Sequence, residues 1–360
     1  MPTTIRVALG QRSYDIAIGR GTLAAAGSFV RDRLPAKFAV VITDSGVRTP
    51  HAETVMRSLA ASGIRGELVE VAAGEASKSV AQAQRLWDEL IALKADRKTA
   101  IVAVGGGVIG DLAGFVAATF ARGLAFVQIP TTLLAHVDSS VGGKVGVNLP
   151  AAKNIVGAFW QPAGVLIDLD TLATLPDREY RSGLAEVVKY GVILDADFFA
   201  YLEAHATELA ARDPAVLEHV IARCCRLKAD VVERDERELT GLRAVLNYGH
   251  TFCHAVETVS GYGTYLHGEA VAIGMVCASR LAERLGRVGA DLTARQVALL
   301  ARLGLPTAIE SLDHDALLAA MQRDKKTEHG QLRFVLPSQL GAVEVVGGIS
   351  EPMVRSALKT

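Results

Sequence analysis

The sequence has few cysteines, few aromatic residues, almost no net charge and no apolar run long enough for a membrane. Its four cysteines, at positions 224, 225, 253 and 277, form no C-x-x-C pair, which argues against a disulfide-framed secreted domain. A net charge of −1 with both signs interspersed gives no attraction to nucleic acid or an anionic membrane. The first residues also lack the apolar stretch of a signal peptide. We therefore expect a cytoplasmic protein with no nucleic-acid or membrane partner.

Half of the residues are apolar, so the expected core consists mainly of alanine, valine, leucine and isoleucine. A chain of 360 residues is long enough for two domains. Up to about residue 175, short apolar runs alternate with helical periodicity, which is typical of a mostly parallel, doubly wound sheet. Helical periodicity then dominates. The sequence predicts a Rossmann-like α/β domain over residues 1–175 and an all-helical, mainly α domain over residues 176–360, with the active site in the cleft between them.

The individual elements follow from the period of the apolar residues. Alternation at period two around a polar turn predicts a hairpin of residues 5–9 and 14–18. Further strands are predicted over residues 37–43, 66–71, 99–104, 124–129, 165–168 and 332–336, and helices over residues 51–62, 79–93, 108–120, 196–210, 215–233, 269–285 and 294–303.

Three of the nine histidines fall within residues 250–267. His250 and His254 are four apart and share one face of a helix, and His267 begins a long apolar helix. A metal with open coordination positions usually takes three protein ligands, often two histidines and a carboxylate. Glu186 is the best third donor, because a carboxylate inside an apolar helical run needs a partner. Alternatively, the histidines are satisfied core side chains and Glu186 pairs with Lys189.

A glycine-rich turn over residues 105–111 satisfies the pattern G-x-G-x-x-G between a strand and a helix. Such a turn lets backbone N–H groups approach a phosphate. The acidic residue usual about 20 positions later is missing, but Asp44 ends an earlier strand and could reach a ribose hydroxyl. A nucleotide site outside the standard Rossmann arrangement is one interpretation, and a turn without a ligand is the other.

Polar and basic residues follow the next strand. Thr131 and Thr132 follow Pro130, just past the predicted strand of residues 124–129, at a strand end where ligands of α/β sheets bind. In the stretch 138–148, Lys144 stands among glycines, an arrangement that suits an anionic small molecule. Ordinary turn chemistry explains the threonines equally well, and solvated loop lysines are the alternative for Lys144 and Lys153.

Together these stretches resemble the 3-dehydroquinate synthase family. Residues 105–115 resemble its nucleotide loop, and residues 129–148, IPTTLLAHVDSSVGGKVGVN, resemble its substrate and cofactor loop. EVVKYG at 186–191, LNYGHTFCH at 246–254 and HGE at 267–269 resemble its metal motifs. The match runs in order from about Asp44 to Lys326. The chain departs from the family at Cys253, where glycine is usual, and we expect this thiol to contribute packing.

The resemblance implies a role for each matching position. The ligands of Zn²⁺ or Co²⁺ would be Glu186, His250 and His267, which agrees with the constellation above. NAD⁺ contacts are implied for Asp44, Gly74, Glu75, Lys78, Gly106, Gly107, Val108, Ile109, Gly110, Asp111, Thr131, Thr132, Asp138, Lys144, Lys153, Thr171, Leu172 and Thr174. Substrate contacts are implied for Asp138, Lys144, Asn154, Lys189, Lys228, Arg243, Asn247, His254, one of Lys325 and Lys326, and Arg122, which would reach across a homodimer interface. Catalytic roles are implied for His254 as proton relay and for Lys144, Lys189, Asn247 and Arg243.

The activity that the resemblance implies is conversion of 3-deoxy-D-arabino-heptulosonate 7-phosphate to 3-dehydroquinate and phosphate, in the shikimate pathway of aromatic amino acid biosynthesis. The family uses NAD⁺ for a transient oxidation, with β-elimination of phosphate, re-reduction, ring opening and an intramolecular aldol step. The metal would act as a Lewis acid.

Three other functions remain open. A cyclase for sedoheptulose 7-phosphate or glucose 6-phosphate would share the metal and NAD motifs but lack the substrate carboxylate. A metal-dependent polyol dehydrogenase would not need so many lysines and arginines for anions. A binding module without turnover would have lost a metal ligand or a phosphate-binding lysine, and none is lost from the sequence.

Overall fold

The computed structural model describes residues 2–150, 152–261, 263–309, 311–323 and 332–359. The chain forms two compact units, one of Met1–Pro176 with Cys224–Arg237 and one of Asp177–Arg223 with Glu238–Thr360. The sequence prediction included Cys224–Arg237 in the helical domain, because periodicity identifies a helix but not its packing partners. Among the described helices, none is both long and apolar enough to cross a bilayer.

A seven-stranded sheet forms the centre of the first unit. In chain order the strands of this unit are β1 (Thr3–Val7), β2 (Tyr14–Gly19), β3 (Phe38–Asp44), β4 (Arg65–Val71), β5 (Ala100–Gly105), β6 (Ala125–Pro130), β7 (Lys144–Leu149), β8 (Ala152–Phe159) and β9 (Gly164–Asp168). The sheet order is β1-β2-β9-β6-β5-β3-β4, and every neighbouring pair except β1 and β2 is parallel. All six residues of β5 are buried, as expected for a parallel strand that is covered on both faces.

Helices cover both faces of this sheet. They are α1 (Ala26–Arg31), α2 (Glu53–Ala61), α3 (Val80–Ala92) and α4 (Gly107–Thr119). Successive residues of a strand point to opposite faces, so Val41 packs with α1 and α2 while Val40 and Ile42 pack with α3 and α4. This doubly wound arrangement confirms the predicted Rossmann-like class.

The hairpin of β7 and β8 was missed in the sequence. Its two strands pair antiparallel and lie outside the seven-stranded sheet. The stretch 138–148 carries so many glycines and polar residues that its pattern predicts a loop. Its strand character is confined to Val145 and Val147, which are buried against α4 in the core of the first unit.

The second unit is mainly helical. The remaining helices of the chain are α5 (Asp177–Leu194), α6 (Ala196–Ala204), α7 (Ala206–Ala210), α8 (Pro214–Arg234), α9 (His250–Ser260), α10 (His267–Arg284), α11 (Ala290–Arg302), α12 (His314–Arg323) and α13 (Glu351–Ala357). The mainly helical prediction is confirmed, but the unit is not all-helical. The predicted strand is β10 (Arg333–Gln339), and it pairs with β11 (Ala342–Gly347), which the sequence analysis missed.

The helix α5 is buried continuously from Ser182 to Ile193. A helix that is apolar on all sides is normally enclosed by other elements. This buried stretch carries two charged side chains, Glu186 and Lys189, each no more than 2% exposed. Their burial requires compensation, which the two side chains supply in part to each other through an ion pair within α5.

Candidate functional site

The predicted nucleotide residues follow the carboxyl ends of parallel strands in the first unit. Asp44 ends β3, the glycine-rich turn follows β5, and Thr131 follows β6. The strands β3 and β5 are neighbours, but α2 after β3 and α4 after β5 cover opposite faces of the sheet. Such a change of face opens a crevice at the strand ends, where ligands of α/β sheets usually bind. The topology therefore favours a ligand at this edge.

The glycine-rich turn begins α4. Gly106 is the N-cap residue in an extended conformation, and Gly107 is the first of 13 helical residues. Because Gly106 has no side chain, the first N–H groups of α4 stay open to an anion, which the helix dipole also favours. On the neighbouring strand end, Asp44 accepts a hydrogen bond from the N–H of Gly46 at 2.8 Å, and burial raises the pKa of Asp44.

Lys78 joins two of the loops at this edge. It is 5% exposed, and its ammonium group forms an ion pair with Asp111, the fifth residue of α4. It also donates to Oδ1 of Asn154 at 2.5 Å. Burial raises the pKa of Asp111, and the charge of Lys78 acts against that rise. These residues, predicted to contact NAD⁺ and substrate, therefore contact each other.

Asn148 extends this contact to a polar network that the sequence analysis missed. Its side-chain oxygen accepts from the N–H of Asn154 at 2.9 Å, and its amide nitrogen donates to Glu75 at 2.7 Å. Asn154 has a φ of 55°, a left-handed conformation that asparagine tolerates better than most residues. The β7–β8 hairpin is thereby fixed to the loop between β4 and α3, which also contains Gly74.

Lys228 on α8 contacts the polar turn after β6. Its ammonium group donates to the backbone oxygen of Asp138 at 2.5 Å and lies 2.9 Å from the carboxylate Oδ1. Nearby, the Cys225 thiol donates to the backbone oxygen of His136 at 3.3 Å. These contacts explain why Cys224–Arg237 belongs to the first unit.

Two histidines adjoin the short helical turn Leu169–Thr174, which contains Thr171, Leu172 and Thr174. His51 Nε2 lies 2.7 Å from Oγ1 of Thr174, and His136 Nε2 lies 3.4 Å from Oγ1 of Thr171. Burial lowers the pKa of His136 to about 4, so this side chain is neutral at physiological pH. Neither histidine was predicted as a site residue, although His136 lies within the family-like stretch 129–148.

The three predicted metal ligands meet in the second unit. Glu186 lies in the middle of α5, while His250 and His267 are the first residues of α9 and α10. Glu186 Oε1 is 3.8 Å from the Nε2 atoms of both histidines, and the three ligand atoms all lie within 4.8 Å of one another. These separations suit one ion with bonds of about 2.0–2.2 Å. The other oxygen of Glu186 forms an ion pair with Lys189, so part of the alternative interpretation also holds.

In both histidines Nδ1, the ring nitrogen that does not face Glu186, lies near an oxygen atom that can accept a hydrogen bond. His250 Nδ1 is 3.1 Å from the backbone oxygen of Tyr248. A carbonyl oxygen can only accept, so Nδ1 carries the hydrogen and Nε2 is left as a ligand. His267 Nδ1 is 3.6 Å from Glu257, which the sequence analysis missed. Burial alone would lower the pKa of His267, but Cys253 and Glu257 raise it well above its ordinary value.

Close helix contacts position the two histidines. Gly249, with a φ of 78°, precedes His250, and a Cβ on Gly274 of α10 would lie 2.2 Å from the backbone oxygen of Gly249. The N-terminus of α10 packs equally closely on α5, since the N–H of Gly268 donates to Ser182 Oγ at 3.0 Å.

Arg178 on α5 binds both carboxylate oxygens of Glu269 at 2.8 Å, and Glu269 also accepts from the N–H of Leu266. In the motif HGE, Glu269 is thus a structural residue.

Gly268→Ala is expected to disrupt the metal cluster. A Cβ there would lie 1.8 Å from the backbone oxygen of Ser182, so α10 must move away from α5. We expect a loss of about 1–3 kcal/mol in the free energy of unfolding and a loss of roughly tenfold or more in metal affinity. Thermal unfolding and competition with a zinc chelator measure these effects. Gly347→Ala is the control, because its Cβ would meet no atom closer than 3.8 Å, and equal effects of both substitutions would contradict the explanation.

The other predicted residues of the second unit lie near this cluster in sequence. Arg243 and Asn247 belong to the short helical turn Leu242–Asn247, and Arg243 is buried with its Nε 3.6 Å from Glu238. The ring of His254 lies 5.8 Å from that of His250, edge to face. Lys325 and Lys326 lie outside the described residues.

Comparisons with known proteins agree over nearly the whole chain. Models of the N-terminal and C-terminal parts of 3-dehydroquinate synthase match residues 68–182 and 183–327. The chain is 52% identical to the 3-dehydroquinate synthase of Geobacter metallireducens over 95% of both chains. It is 48% identical to that of Rhodopirellula baltica over 99% of this chain and 96% of the relative. The chain belongs to the 3-dehydroquinate synthase family.

Solved structures of related cyclases share the family fold. A 2-deoxy-scyllo-inosose synthase complexed with carbaglucose-6-phosphate, NAD⁺ and Co²⁺ has a TM-score of 0.90 at 29% identity, over 99% of both chains. A 2-epi-5-epi-valiolone synthase from Streptomyces hygroscopicus subsp. jinggangensis, with NAD⁺ and Zn²⁺ bound, has a TM-score of 0.89 at 30% identity, over 98% of this chain and 97% of that one. The predicted fold class is therefore confirmed.

Three further residues that the family resemblance selected lie in the β7–β8 hairpin and in the turn after α4. Lys144 is the exposed first residue of β7, and Lys153 lies in β8. Arg122 is exposed in the turn after α4, where Ala121 and Arg122 both have positive φ, of 49° and 68°. Two consecutive left-handed residues other than glycine are unusual and cost free energy, which is typical of functional turns.

Proposed function

We propose that this chain is a 3-dehydroquinate synthase that converts 3-deoxy-D-arabino-heptulosonate 7-phosphate to 3-dehydroquinate and phosphate. It would be a carbon–oxygen lyase that uses NAD⁺ and a divalent metal without net oxidation. The full-length similarity to synthases of this name carries the proposal. The cluster of Glu186, His250 and His267 supports it, because its chemistry suits a catalytic metal.

The bound groups would supply the chemistry that side chains cannot. NAD⁺ would accept and return a hydride, and Zn²⁺ or Co²⁺ would act as a Lewis acid on substrate oxygens. Glu186, His250 and His267 would hold the metal. The turn over residues 105–111, Asp44 and the residues after β4, β6 and β9 would hold the nucleotide, since they share the crevice edge of the sheet.

The chain's own residues would bind and orient an anionic substrate. Lys189 and Arg243 in the second unit are both buried cations, which suit a carboxylate better than solvated lysines do. Lys144, Asn154, Lys228 and Asn247 would contact substrate phosphate and hydroxyl groups. His254 would move a proton to or from a hydroxyl, because a neutral imidazole can donate or accept near neutral pH.

The nearest alternative is another sugar-phosphate cyclase. The two solved cyclases share the fold closely, so the fold does not separate these activities. Sequence identity does favour one of them, since it is 48–52% with the 3-dehydroquinate synthases and 29–30% with the other two enzymes. A glycerol dehydrogenase from Schizosaccharomyces pombe, at 17% identity, shares only the fold.

The direct test measures phosphate release from 3-deoxy-D-arabino-heptulosonate 7-phosphate with catalytic NAD⁺, while absorbance reports NADH. We expect phosphate without accumulation of NADH, loss of the reaction with a chelator, and recovery with zinc. Stoichiometric NADH without phosphate would identify a dehydrogenase instead. With neither signal, the same assay on sedoheptulose 7-phosphate tests the alternative cyclase.

We further propose a homodimer in which Arg122 completes the site of the neighbouring subunit. The exposure of the Arg122 side chain and the left-handed conformation of its turn support a contact with another subunit. We expect Arg122→Ala and Glu186→Gln each to be nearly inactive, and a randomly reassembled equal mixture to recover about a quarter of wild-type activity, because half of the dimers would contain one intact site.

A second mixture provides the control for this complementation. His254→Ala and Glu186→Gln would damage the same site from the same subunit, so their mixture should recover nothing beyond the sum of its parts. If the Arg122→Ala mixture also shows no recovery although mixed dimers form, Arg122 acts within its own subunit or not at all.

A further inference from the structure

A second set of metal-binding side chains lies on the far side of His267. Cys253 and Glu257 are four residues apart on α9 and therefore share one helical face. This face points to the N-terminus of α10, where both side chains approach Nδ1 of His267, the nitrogen opposite the one that faces Glu186. A thiol, a carboxylate and an imidazole together are a typical set of ligands for zinc-like cations.

The distances in this cluster suit a shared ion better than direct hydrogen bonds. Nδ1 of His267 is 3.6 Å from Glu257 Oε1 and 4.0 Å from Cys253 Sγ, and Sγ is 3.9 Å from Glu257 Oε2. An N–O separation of 3.6 Å is too long for a hydrogen bond. Bonds of about 2.0–2.3 Å in a tetrahedral arrangement separate ligand atoms by roughly 3.3–3.7 Å. A small inward movement would therefore bring all three atoms onto one cation.

We propose that Cys253, Glu257 and Nδ1 of His267 form a second site for a soft divalent cation such as Cd²⁺ or excess Zn²⁺. The sulfur and Nδ1 would form bonds to the cation, the thiol proton would go to solvent, and the imidazole would keep its single hydrogen on Nε2. Thiolate ligands select soft cations over hard ones. Because the two sites share His267, a cation on Nδ1 would remove Nε2 from the set of ligands around Glu186.

This inference rests on three side chains of the second unit and not on the proposed function. It gives Cys253 a role that packing alone does not require, although the thiol is fully buried. Glu186 does not belong to the second cluster, so its replacement separates the two sites.

The test is a Cd²⁺ titration of the metal-free full-length chain, followed by the ultraviolet charge-transfer band of a cadmium–thiolate bond. We expect the band to saturate near one equivalent of thiolate-bound Cd²⁺ in the wild type and in Glu186→Gln, and to disappear in Cys253→Ser. Cys277→Ser, which removes another buried thiol, is the matched control and should keep the band. Circular dichroism verifies that each variant is folded.

Two results would overturn the proposal. One is a wild-type protein that binds Cd²⁺ without a thiolate band. The other is a band that persists in folded Cys253→Ser, which would place the thiolate elsewhere. Zinc retained by a variant that combines Glu186→Gln with Cys253→Ser would contradict the first metal site but would leave the Cd²⁺ result unaffected, so the two failures are distinguishable.

Discussion

Glu186→Gln is expected to lose its bound metal and to slow the reaction by roughly a thousandfold. The substitution keeps the size of the side chain but removes the charge that faces His250 and His267. A metal that stabilises the transition state by several kcal/mol accelerates a reaction by a factor of this order, because each tenfold change in rate corresponds to about 1.36 kcal/mol. Metal content after dialysis and the rate of phosphate release measure the two effects.

His254→Ala is the matched control for Glu186→Gln. It removes a polar side chain from the same helix as His250, but not a predicted ligand. We expect it to retain the metal and to lose roughly a hundredfold in rate, the usual order for a general acid–base group. If Glu186→Gln keeps wild-type zinc when Cys253→Ser is also present, or if His254→Ala loses it, the division of roles between these residues is wrong. NAD⁺ binding and circular dichroism establish that both variants remain folded.

Lys78→Met is expected to destabilise the chain by about 3–5 kcal/mol, the usual range when one partner of a buried ion pair is removed. Methionine replaces the aliphatic part of the lysine but leaves Asp111 without its ion-pair partner. The hydrogen bond to Asn154 is also lost, so the β7–β8 hairpin loses one of its connections to α4. Urea denaturation measures the free energy of unfolding, and Lys98→Met, an exposed lysine in the same unit, provides the control.

The same variant should change how stability depends on pH. Burial already raises the pKa of Asp111, and loss of Lys78 removes the charge that acts against this rise. A carboxyl with a higher pKa in the folded chain than in the unfolded chain binds its proton more tightly when folded. The free energy of unfolding of Lys78→Met should therefore decrease as pH rises from about 4, the ordinary pKa of aspartate, to the raised pKa of Asp111. A pH-independent loss would mean that Asp111 finds another cation.

Short-range patterns predicted the parts of the site that depend on local spacing. A strand, a glycine turn and a helix can be recognised within residues 99–120, and they place Gly106 and Asp111 together. His250 and His267 belong to compact motifs, and Glu186 was identified because a carboxylate stood inside an apolar helix. Family resemblance then supplied residues whose neighbours are distant in sequence.

The missed residues depend on tertiary contacts. Asn148 links Glu75 to Asn154, and the sequence separation of 73 residues between Asn148 and Glu75 leaves no local signal. Glu257 looks like an ordinary charged residue on the surface of α9 until α10 brings His267 to it. Lys228 was expected with the helical domain because α8 is periodic throughout, and periodicity does not show which of its residues pack with the first unit.

The positions of His250 and His267 as first residues of their helices affect the electrostatic potential at the metal cluster. The amino end of each helix carries roughly half a positive charge, so α9 and α10 together oppose a cation at this point. The same field stabilises negative charge on any oxygen that the cation binds. The carboxylate of Glu186 must therefore balance two helix ends as well as the ion. It follows that the cation should bind more tightly when an anionic ligand accompanies it than when only water does.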